Sequence, residues 1–319
     1  MKDKMLKYSV VIPVYNVAAD LPACLESVLA QKDAPDYEVI LVDDGATDGS
    51  GTICDDYAAR FGNIRVLHTE NHGVSSARNL GTEMATGEYI LYLDGDDLWD
   101  RDLLAVLNRM AESNPDVMVF GYHALTGEGT RLPGTVYPVI PAGESGRTYL
   151  RALFDRQAIP PTAVWSYAIR RTLLEKNRIT FREDMKVSED FDLVMRVLTA
   201  AGSVRGTAAQ CYCYRQRAGS ATSNLSEKKL MDNLTCKADY FRRYPVAALA
   251  NLYADNALLV AALPKEDAAE ALLFLNQNRD IWNSVSQKPL KLGRLLVRLF
   301  GDYNGARIYT WIRGALRRA

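Results

Sequence analysis

Several patterns that define common protein classes are missing from this sequence. Its five cysteines form an odd, scattered set, which is not the pattern of a disulfide framework. None of its three histidines follows His123, so no histidine completes a metal shell with later motifs. The first apolar run, Tyr8–Val14, contains Pro13 and is too short for a membrane span or a signal-peptide core. We therefore expect a mature chain that starts at Met1 in the cytoplasm.

A charge excess of either sign is also absent. The 38 Lys and Arg residues are balanced by 39 Asp and Glu residues, so no global electric field recruits nucleic acid. The chain has 319 residues, of which 48% are hydrophobic and 24% charged, which is typical of a globular protein. This length accommodates one large α/β domain with an appendage.

Two glycine-rich nucleotide-binding motifs are missing as well. A dehydrogenase needs a Gly-x-Gly-x-x-Gly turn after its first strand, yet residues 14–18 contain no glycine. A phosphate-binding loop that ends in Gly-Lys-Ser/Thr is found nowhere in the chain. Any nucleotide site must therefore use other groups.

The first hundred residues alternate between strand and helix patterns. Apolar runs predict strands at 8–14, 37–42, 64–67 and 89–93, and helical spacing predicts helices at 21–29, 52–61 and 74–84. This alternation predicts a mostly parallel sheet with helices on both faces. Ligands of such sheets bind beyond the carboxyl ends of the strands. Polar residues follow three of these strands, at Asn16, at 43–45 and at 94–97.

The most informative of these polar segments is the acidic cluster after the fourth strand. Asp94, Asp96 and Asp97 stand within four positions, and Gly95 allows the backbone to bend between them. Three carboxylates repel one another unless a cation lies among them, and hard oxygen ligands suit Mg²⁺ or Mn²⁺ with a diphosphate. The alternative is a solvated acidic turn before the next helix.

Four motifs together resemble a known family. They lie in order at 10–16 (VVIPVYN), 42–50 (VDDGATDGS), 73–81 (GVSSARNLG) and 92–97 (YLDGDD). In sequence and spacing they resemble the family 2 inverting glycosyltransferases, which have the GT-A fold. The resemblance covers roughly residues 7–224. It implies a metal-dependent transfer of a sugar from a nucleotide diphosphate donor.

The resemblance implies a donor site at the strand ends. Asp44 is expected to accept a hydrogen bond from the uracil ring of a UDP-sugar, and Pro13 to line the same base pocket. Tyr15 and Arg78 are expected to contact the donor. The alternative for Arg78 is a cation on the surface of a helix.

The resemblance also implies which residues bind the metal and the diphosphate. Asp96 is expected to coordinate Mn²⁺ or Mg²⁺, and Asp94 to hold the metal or the ribose, while the role of Asp97 stays open. Arg217 and Ser220 match a loop that closes over the diphosphate in the family, since a guanidinium and a hydroxyl both donate to phosphate oxygens. The alternative is an exposed surface loop.

A Glu-Asp pair resembles the acceptor-side half of the family. Inversion is a single in-line displacement, so one carboxylate must take the proton of the acceptor hydroxyl from the opposite face. We expect Asp190 to be this base and Glu189 to position it or the acceptor. The alternative is that these acids only form the first turn of a helix capped by Ser188. Ser166-Tyr167 stands where relatives often carry Asn-Lys, so acceptor choice cannot be transferred.

The chain changes character after the predicted transferase domain. We expect a GT-A domain at 1–224, with a nucleotide-binding half at 1–98 and an acceptor half at 99–224, and a helical region at 225–319. The tail from 288 combines many Lys and Arg residues with Leu, Phe and Trp. Such a tail lies on an anionic membrane surface or packs on the protein body.

The sequence therefore favours a glycosyltransferase of cell-surface polysaccharide synthesis. Its expected partners are a UDP-sugar donor and a saccharide or lipid-linked saccharide acceptor, with no nucleic acid. A homo-oligomer and a position at the inner face of the plasma membrane are both compatible with the sequence. The competing hypotheses are a nucleotidyltransferase and a non-catalytic module that binds nucleotide sugars.

Overall fold

The computed structural model describes residues 6–126, 130–135, 140–216 and 225–316. The chain divides into two compact units. The first comprises the described residues of Met1–Leu150, Pro161–Glu183 and Glu189–Arg217. The second comprises those of Arg151–Pro160, Asp184–Ser188 and Ala218–Ala319.

The first unit is built on strands and helices that alternate through its N-terminal part. In chain order the elements are β1 (Tyr8–Val14), α1 (Leu21–Leu29), β2 (Tyr37–Asp44), α2 (Ser50–Arg60), β3 (Ile64–Thr69), α3 (Val74–Met84), β4 (Tyr89–Tyr92), β5 (Leu98–Trp99), α4 (Leu103–Ala111), β6 (Val117–Leu125), β7 (Arg131–Thr135), β8 (Ile140–Glu144), α5 (Gly146–Asp155), β9 (Tyr167–Arg170), α6 (Arg171–Asn177), α7 (Glu189–Ala200) and β10 (Val204–Arg215). The boundary between the two units falls within α5, after Leu150.

The strands form one ten-stranded sheet. The main path runs β3-β2-β1-β4-β9-β6-β10-β5, with β7 paired to β6 and β8 paired to β10. The strands β3, β2, β1 and β4 are parallel, and β9 is inserted antiparallel between β4 and β6. Because β6 and β10 pair in parallel, six of the ten strands run in one direction. The expected fold class, a mostly parallel sheet flanked by helices, is confirmed.

The predicted elements agree with the observed ones except near their ends. Strand β2 extends two residues beyond the predicted end at 42, because the ladder with β3 continues through Asp43↔His68 and Asp44↔Thr69. The short strands on either side of residues 136–139, β7 and β8, pair with β6 and β10 respectively. Residues 136–139 lie outside the described part.

The topology brings the polar strand ends to one edge of the sheet. Strand β1 lies between β2 and β4, with Val14 opposite Asp43 and Val11 opposite Tyr92. All three strands are parallel, so the segments that follow them leave the sheet on the same side. The residues after β1, at the end of β2 and after β4 therefore lie at one edge, where α/β sheets bind ligands.

The regular structure described between 225 and 316 is helical. The elements are α8 (Glu227–Arg243), α9 (Ala247–Ala257), α10 (Ala269–Gln277), α11 (Lys288–Phe300) and α12 (Asp302–Leu316), with 3-10 turns at Leu258–Ala262, Lys265–Ala268 and Arg279–Ser284. Their inner faces bury apolar side chains such as Leu230, Leu234 and Tyr253. Among the described helices, none has the length and apolar character needed to cross a bilayer.

Candidate active site

The acidic segment after β4 forms a tight turn against the end of β1. The backbone N–H of Asp97 donates to the carbonyl of Asp94 at 2.9 Å. A Cβ on Gly95 would lie 3.1 Å from Val17 Cγ2 and 3.3 Å from the carbonyl oxygen of Pro13. Glycine therefore allows this close approach of the turn to the chain that follows β1.

Asp97 is the inward-facing member of the cluster. It is 1% exposed, and it accepts hydrogen bonds from the Tyr212 hydroxyl at 2.6 Å and from the backbone N–H of Arg215 at 2.7 Å. Burial, together with the charges of Asp94 and Asp96, raises the pKa of Asp97 to about 8. The alternative of a fully solvated acidic turn is thus wrong for Asp97, which ties this turn to β10.

Arg78 on α3 is the cation at the centre of the site. It is 3% exposed, so the surface-cation alternative is wrong. One guanidinium nitrogen, Nη2, donates to Asp94 Oδ1 at 2.7 Å, and the other, Nη1, donates to Asp190 Oδ1 at 2.7 Å. Nη1 also lies 3.5 Å from Glu189 Oε1, and the guanidinium carbon lies 5.2 Å from the Phe181 ring centroid. Burial opposes the charge of Arg78, but the carboxylates around it raise its pKa.

The Glu-Asp pair opens α7 and turns toward Arg78. Asp190 Oδ2 accepts a hydrogen bond from the backbone N–H of Val164 at 3.1 Å, while its Oδ1 accepts from Arg78. The Ser188 hydroxyl donates to Asn233 Oδ1 at 2.5 Å within the second unit. Both oxygens of Asp190 thus bind groups outside α7, so the pair does more than form a helix terminus.

Burial makes both of these acids weaker than usual. Burial and the neighbouring Asp190 raise the pKa of Glu189 to about 7. Burial also raises the pKa of Asp190, although Arg78 acts in the opposite direction. A carboxylate with a raised pKa is a stronger base, which suits proton abstraction from a hydroxyl.

Asp44 anchors the N-terminus of the helix that carries Arg78. Its two carboxylate oxygens accept the backbone N–H groups of His72 and Gly73, each at 2.8 Å, just before α3 begins. Pro13 pairs with Val42 in the neighbouring strand β2, two residues before Asp44. These contacts fix the start of α3 and hence the position of Arg78.

An aromatic cluster lies beside the acidic turn. The Trp165 ring stacks on Tyr212 with centroids 4.2 Å apart, meets the edge of Tyr122 at 4.8 Å and lies 6.2 Å from Tyr214. Tyr122 and Tyr214 are half-buried, whereas Trp165 and Tyr212 are buried. Part of the aromatic surface is therefore open to solvent.

The structure brings some of the expected site residues into contact with one another but not all of them. It joins Arg78, Asp94, Glu189 and Asp190 in one contact network, and Tyr15 follows β1 with 47% of its surface exposed. Asp96 is half-buried in the acidic turn. The two remaining expected contacts, Arg217 and Ser220, lie outside the described residues.

Ser166 and Tyr167 are both fully buried. The Tyr167 hydroxyl donates to the carbonyl of Pro161 at 2.8 Å. The side chains of Ser166 and Tyr167 therefore cannot reach an acceptor in this conformation.

Two contacts were missed from the sequence. The pairing of Arg78 with Asp190 joins residues 112 positions apart, and no local pattern predicts it. The bond from Tyr212 to Asp97 could have been anticipated in part, because strand periodicity puts Tyr212 and Tyr214 on one face of β10. Within the described segments, no three His, Cys, Asp or Glu side chains are grouped to hold a metal by themselves.

A separate cavity of about 290 Å³ lies in the second unit. Its lining includes Leu258, Leu259 and Tyr309 and the loose ion pair of Asp255 with Arg313. None of these residues belongs to the motifs described above. Chemistry therefore selects the edge of the sheet, and not this cavity, as the candidate active site.

Comparison with known proteins identifies the family. The sequence model of Glycosyl transferase family 2 matches residues 9–178. The chain is 32% identical to the uncharacterised glycosyltransferase EpsJ of Bacillus subtilis, over 75% of this chain and 71% of EpsJ. The chain belongs to glycosyl transferase family 2. It is also 33% identical to a cholesterol galactosyltransferase of Borreliella burgdorferi, over 71% of this chain and 65% of that protein.

Two solved structures share the fold of this chain. S. aureus TarS in complex with UDP-GlcNAc superimposes with a TM-score of 0.74 at 20% identity, over 97% of this chain and 92% of the TarS chain. The mannosyltransferase PcManGT of Pyrobaculum calidifontis, in complex with GDP-Man and Mn²⁺, has a TM-score of 0.56 at 17% identity, over 98% of this chain and 88% of that chain. The expected GT-A fold is confirmed.

Membership of glycosyl transferase family 2 makes this protein an enzyme that transfers sugars. The nucleotidyltransferase hypothesis and the non-catalytic binding module are therefore set aside. The matched residues 9–178 include Arg78 and the acidic turn, whereas Glu189 and Asp190 lie beyond them.

Replacing Arg78 should destabilise this family 2 enzyme in a pH-dependent way. In Arg78→Met, three carboxylates face one another without a cation, and we expect a loss of about 3 kcal/mol in the free energy of unfolding at pH 7.5. The folded-state pKa values of Glu189 and Asp190 are already raised by burial, and without the cation they rise further. The deficit should therefore shrink as the pH falls toward 5, because the folded state then binds protons. Urea unfolding at both pH values measures this.

The matched control is Arg313→Met in the second unit. Arg313 lies 3.6 Å from Asp255 in an exposed pair, so its loss should cost less than about 1 kcal/mol at either pH. A deficit in Arg78→Met that stays the same at pH 5 and pH 7.5 would contradict the role of Arg78 as a counter-charge.

Proposed function

We propose that this protein is a metal-dependent, inverting glycosyltransferase. It would move a sugar from a UDP-sugar to a saccharide or glycolipid acceptor in cell-surface polysaccharide synthesis. The observation that carries this proposal is the contact of Arg78 with both Asp94 and Asp190 at 2.7 Å. It links the acidic turn at the sheet edge to an acid on another element, as a donor side and an acceptor side require.

The donor would bind at the edge formed by β1, β2 and β4. Pro13 and Asp44 would form the base pocket, with Tyr15 and Arg78 near the nucleotide and Arg217 and Ser220 over the diphosphate. Related folds support a nucleotide sugar, since TarS is solved with UDP-GlcNAc and PcManGT with GDP-Man. The transferase domain would span 1–224 (halves 1–98 and 99–224), followed by a helical region at 225–319.

A divalent cation, Mn²⁺ or Mg²⁺, would be held by Asp96 and Asp94. The negative potential of this turn fits a cation, because the charges of Asp94 and Asp96 contribute to the raised pKa of Asp97. Such ions commonly bind one or two carboxylates and complete their shell with phosphate oxygens, so a larger protein cluster is not needed. When bound, the metal would offset the negative charge that develops on the diphosphate leaving group.

Asp190 would act as the general base. The acceptor hydroxyl would lose its proton to the Asp190 carboxylate while its oxygen bonds to the anomeric carbon and the bond to the diphosphate breaks. The contacts from Arg78 and the Val164 N–H would hold the carboxylate in a fixed orientation. Glu189, beside it, would position the base or the acceptor.

The half-buried Tyr122 and Tyr214 support a saccharide acceptor. Their rings extend the aromatic cluster of Trp165 toward solvent, and aromatic faces offer apolar surface to the C–H faces of a sugar ring. We propose that the enzyme works at the inner face of the plasma membrane, where a lipid-linked acceptor would be available.

Hydrolysis of the donor tests the proposed donor and metal sites, because slow hydrolysis needs no acceptor. Wild-type protein should hydrolyse one member of a nucleotide-sugar panel in the presence of Mn²⁺ and lose this activity in EDTA. Asp96→Ala should lose it at any Mn²⁺ concentration that supports the wild type. The control is Asp56→Ala, an exposed acid on α2, which should behave as wild type. Equal turnover by Asp96→Ala and wild type would show that the metal assignment is wrong.

Asp190→Asn tests the base. The substitution keeps the size of the side chain but removes its negative charge, one of its two acceptor oxygens and its ability to accept a proton. We expect transfer to an acceptor to fall by about 10²–10⁴-fold while donor affinity, measured by calorimetry, stays unchanged. If the rate of transfer were the same as in wild type, another residue would have to serve as the base.

The pH dependence of transfer tests the coupling of Glu189 and Asp190. The base must be deprotonated, so kcat/KM should rise with pH and level off above the raised pKa values of the pair. In Glu189→Gln one negative neighbour is lost, which eases deprotonation of Asp190, so the rising limb should move to lower pH. An unmoved limb in Glu189→Gln would argue against this coupling.

A further inference from the structure

The last two described helices pack closely against each other. A Cβ on Gly305 of α12 would lie 2.5 Å from Val297 Cα of α11, so glycine is needed for this approach. The inner face of α11 buries Leu290, Leu296 and Val297. The expectation that the tail packs on the protein is therefore correct for one face of α11.

The opposite face of α11 exposes a row of leucines. Leu292, Leu295 and Leu299 are 37%, 51% and 64% exposed, and their spacing of three and four residues aligns them on one side of the helix. Phe300 ends the same helix with 52% of its surface exposed, and Trp311 on α12 is 71% exposed. Five large apolar side chains in two adjoining helices thus contact solvent, which marks an interaction surface.

Cations accompany this row. Lys288, Lys291 and Arg298 are exposed on α11, and in the described part of the chain none of them forms an ion pair. No Asp or Glu occurs between 288 and 301. By contrast, the exposed Leu273 of α10, with 59% of its surface accessible, follows an acidic segment at 266–270. Exposed leucines and unpaired cations therefore coincide on α11 but not on α10.

We infer that this outer surface of α11, defined by Leu292, Leu295, Leu299, Lys291 and Arg298, docks on an anionic phospholipid bilayer. The leucines would enter the boundary between headgroups and acyl chains. The long stems of Lys and Arg would lie along this apolar layer while their charged ends contact lipid phosphates. Trp311 suits the same interfacial depth.

Charge decides between a bilayer and a second copy of this chain. In a symmetric dimer built on this surface, the cations of one copy would face those of the other, and the repulsion would oppose the apolar contact. An anionic bilayer attracts the same cations. The inference rests on the proposed function only for the role of this docking, which would be to bring the active site to a lipid-linked acceptor.

Sedimentation of the full chain with vesicles tests this inference. Binding should be strong with phosphatidylcholine vesicles that contain phosphatidylglycerol, weak with phosphatidylcholine alone, and reduced by salt. The double variants Lys291→Glu with Arg298→Glu, and Leu295→Ser with Leu299→Ser, should each weaken partitioning at least about tenfold. The matched control, Leu273→Ser on α10, should bind as wild type.

Two further measurements distinguish a loss of membrane binding from a loss of folding or of enzyme activity. Melting temperature should be the same for all variants, and donor hydrolysis without vesicles should match wild type, so a failure here does not involve the proposed transferase activity. The inference is overturned by equal binding to both vesicle types, by an equal loss in Leu273→Ser, or by an absence of binding. It is also overturned if light scattering shows a dimer that the Leu295→Ser, Leu299→Ser variant dissociates.

Discussion

The candidate site depends on one buried cation. Removing a guanidinium from water is costly, and the cost is offset only when its charge and its N–H groups are matched by nearby acceptors. For Arg78 the charge and the two terminal nitrogens are matched by Asp94 and Asp190, which come from the turn after β4 and from the start of α7. Its buried Nε has no partner among the described residues. Its position is held in turn by Asp44, which binds the backbone at the start of α3. A change in the charge of Asp94 or Asp190 will therefore alter the electrostatic environment of the other acid through Arg78.

The same environment gives the acids of the cluster different properties. Burial and the charges of Asp94 and Asp96 raise the pKa of Asp97 to about 8, although the hydrogen bonds from Tyr212 and the Arg215 backbone act in the opposite direction. Asp94 remains partly exposed and pairs with Arg78. The acids of this motif look alike in the sequence but differ in the structure. Asp97 holds the turn in place, whereas the more exposed acids remain able to bind a ligand. Through Asp97 the turn is bound to β10, the strand that ends two residues before Arg217.

Local patterns predicted the elements of the first hundred residues well, because apolar periodicity and turn residues are properties of neighbouring positions. Strand β1 and helix α3 were predicted with their observed bounds. Strand β9 has only four residues, and its antiparallel place between β4 and β6 depends on the assembled sheet, so no local signal announced it. The partners of Arg78 could not be predicted for the same reason. In a sequence, an arginine that distant elements bury cannot be distinguished from an exposed arginine on a helix.

The tail shows how a choice posed from sequence can be too narrow. Packing on the body and docking on a membrane need not exclude each other, because α11 carries apolar residues on two opposite sides. A helix that only covered a protein core would expose mainly polar residues on its outer side, and one that only lay on a membrane would need no buried inner side. Leucines on both sides, with lysines and arginines beside the outer row, are what a helix needs if it lies between a protein core and a charged lipid surface.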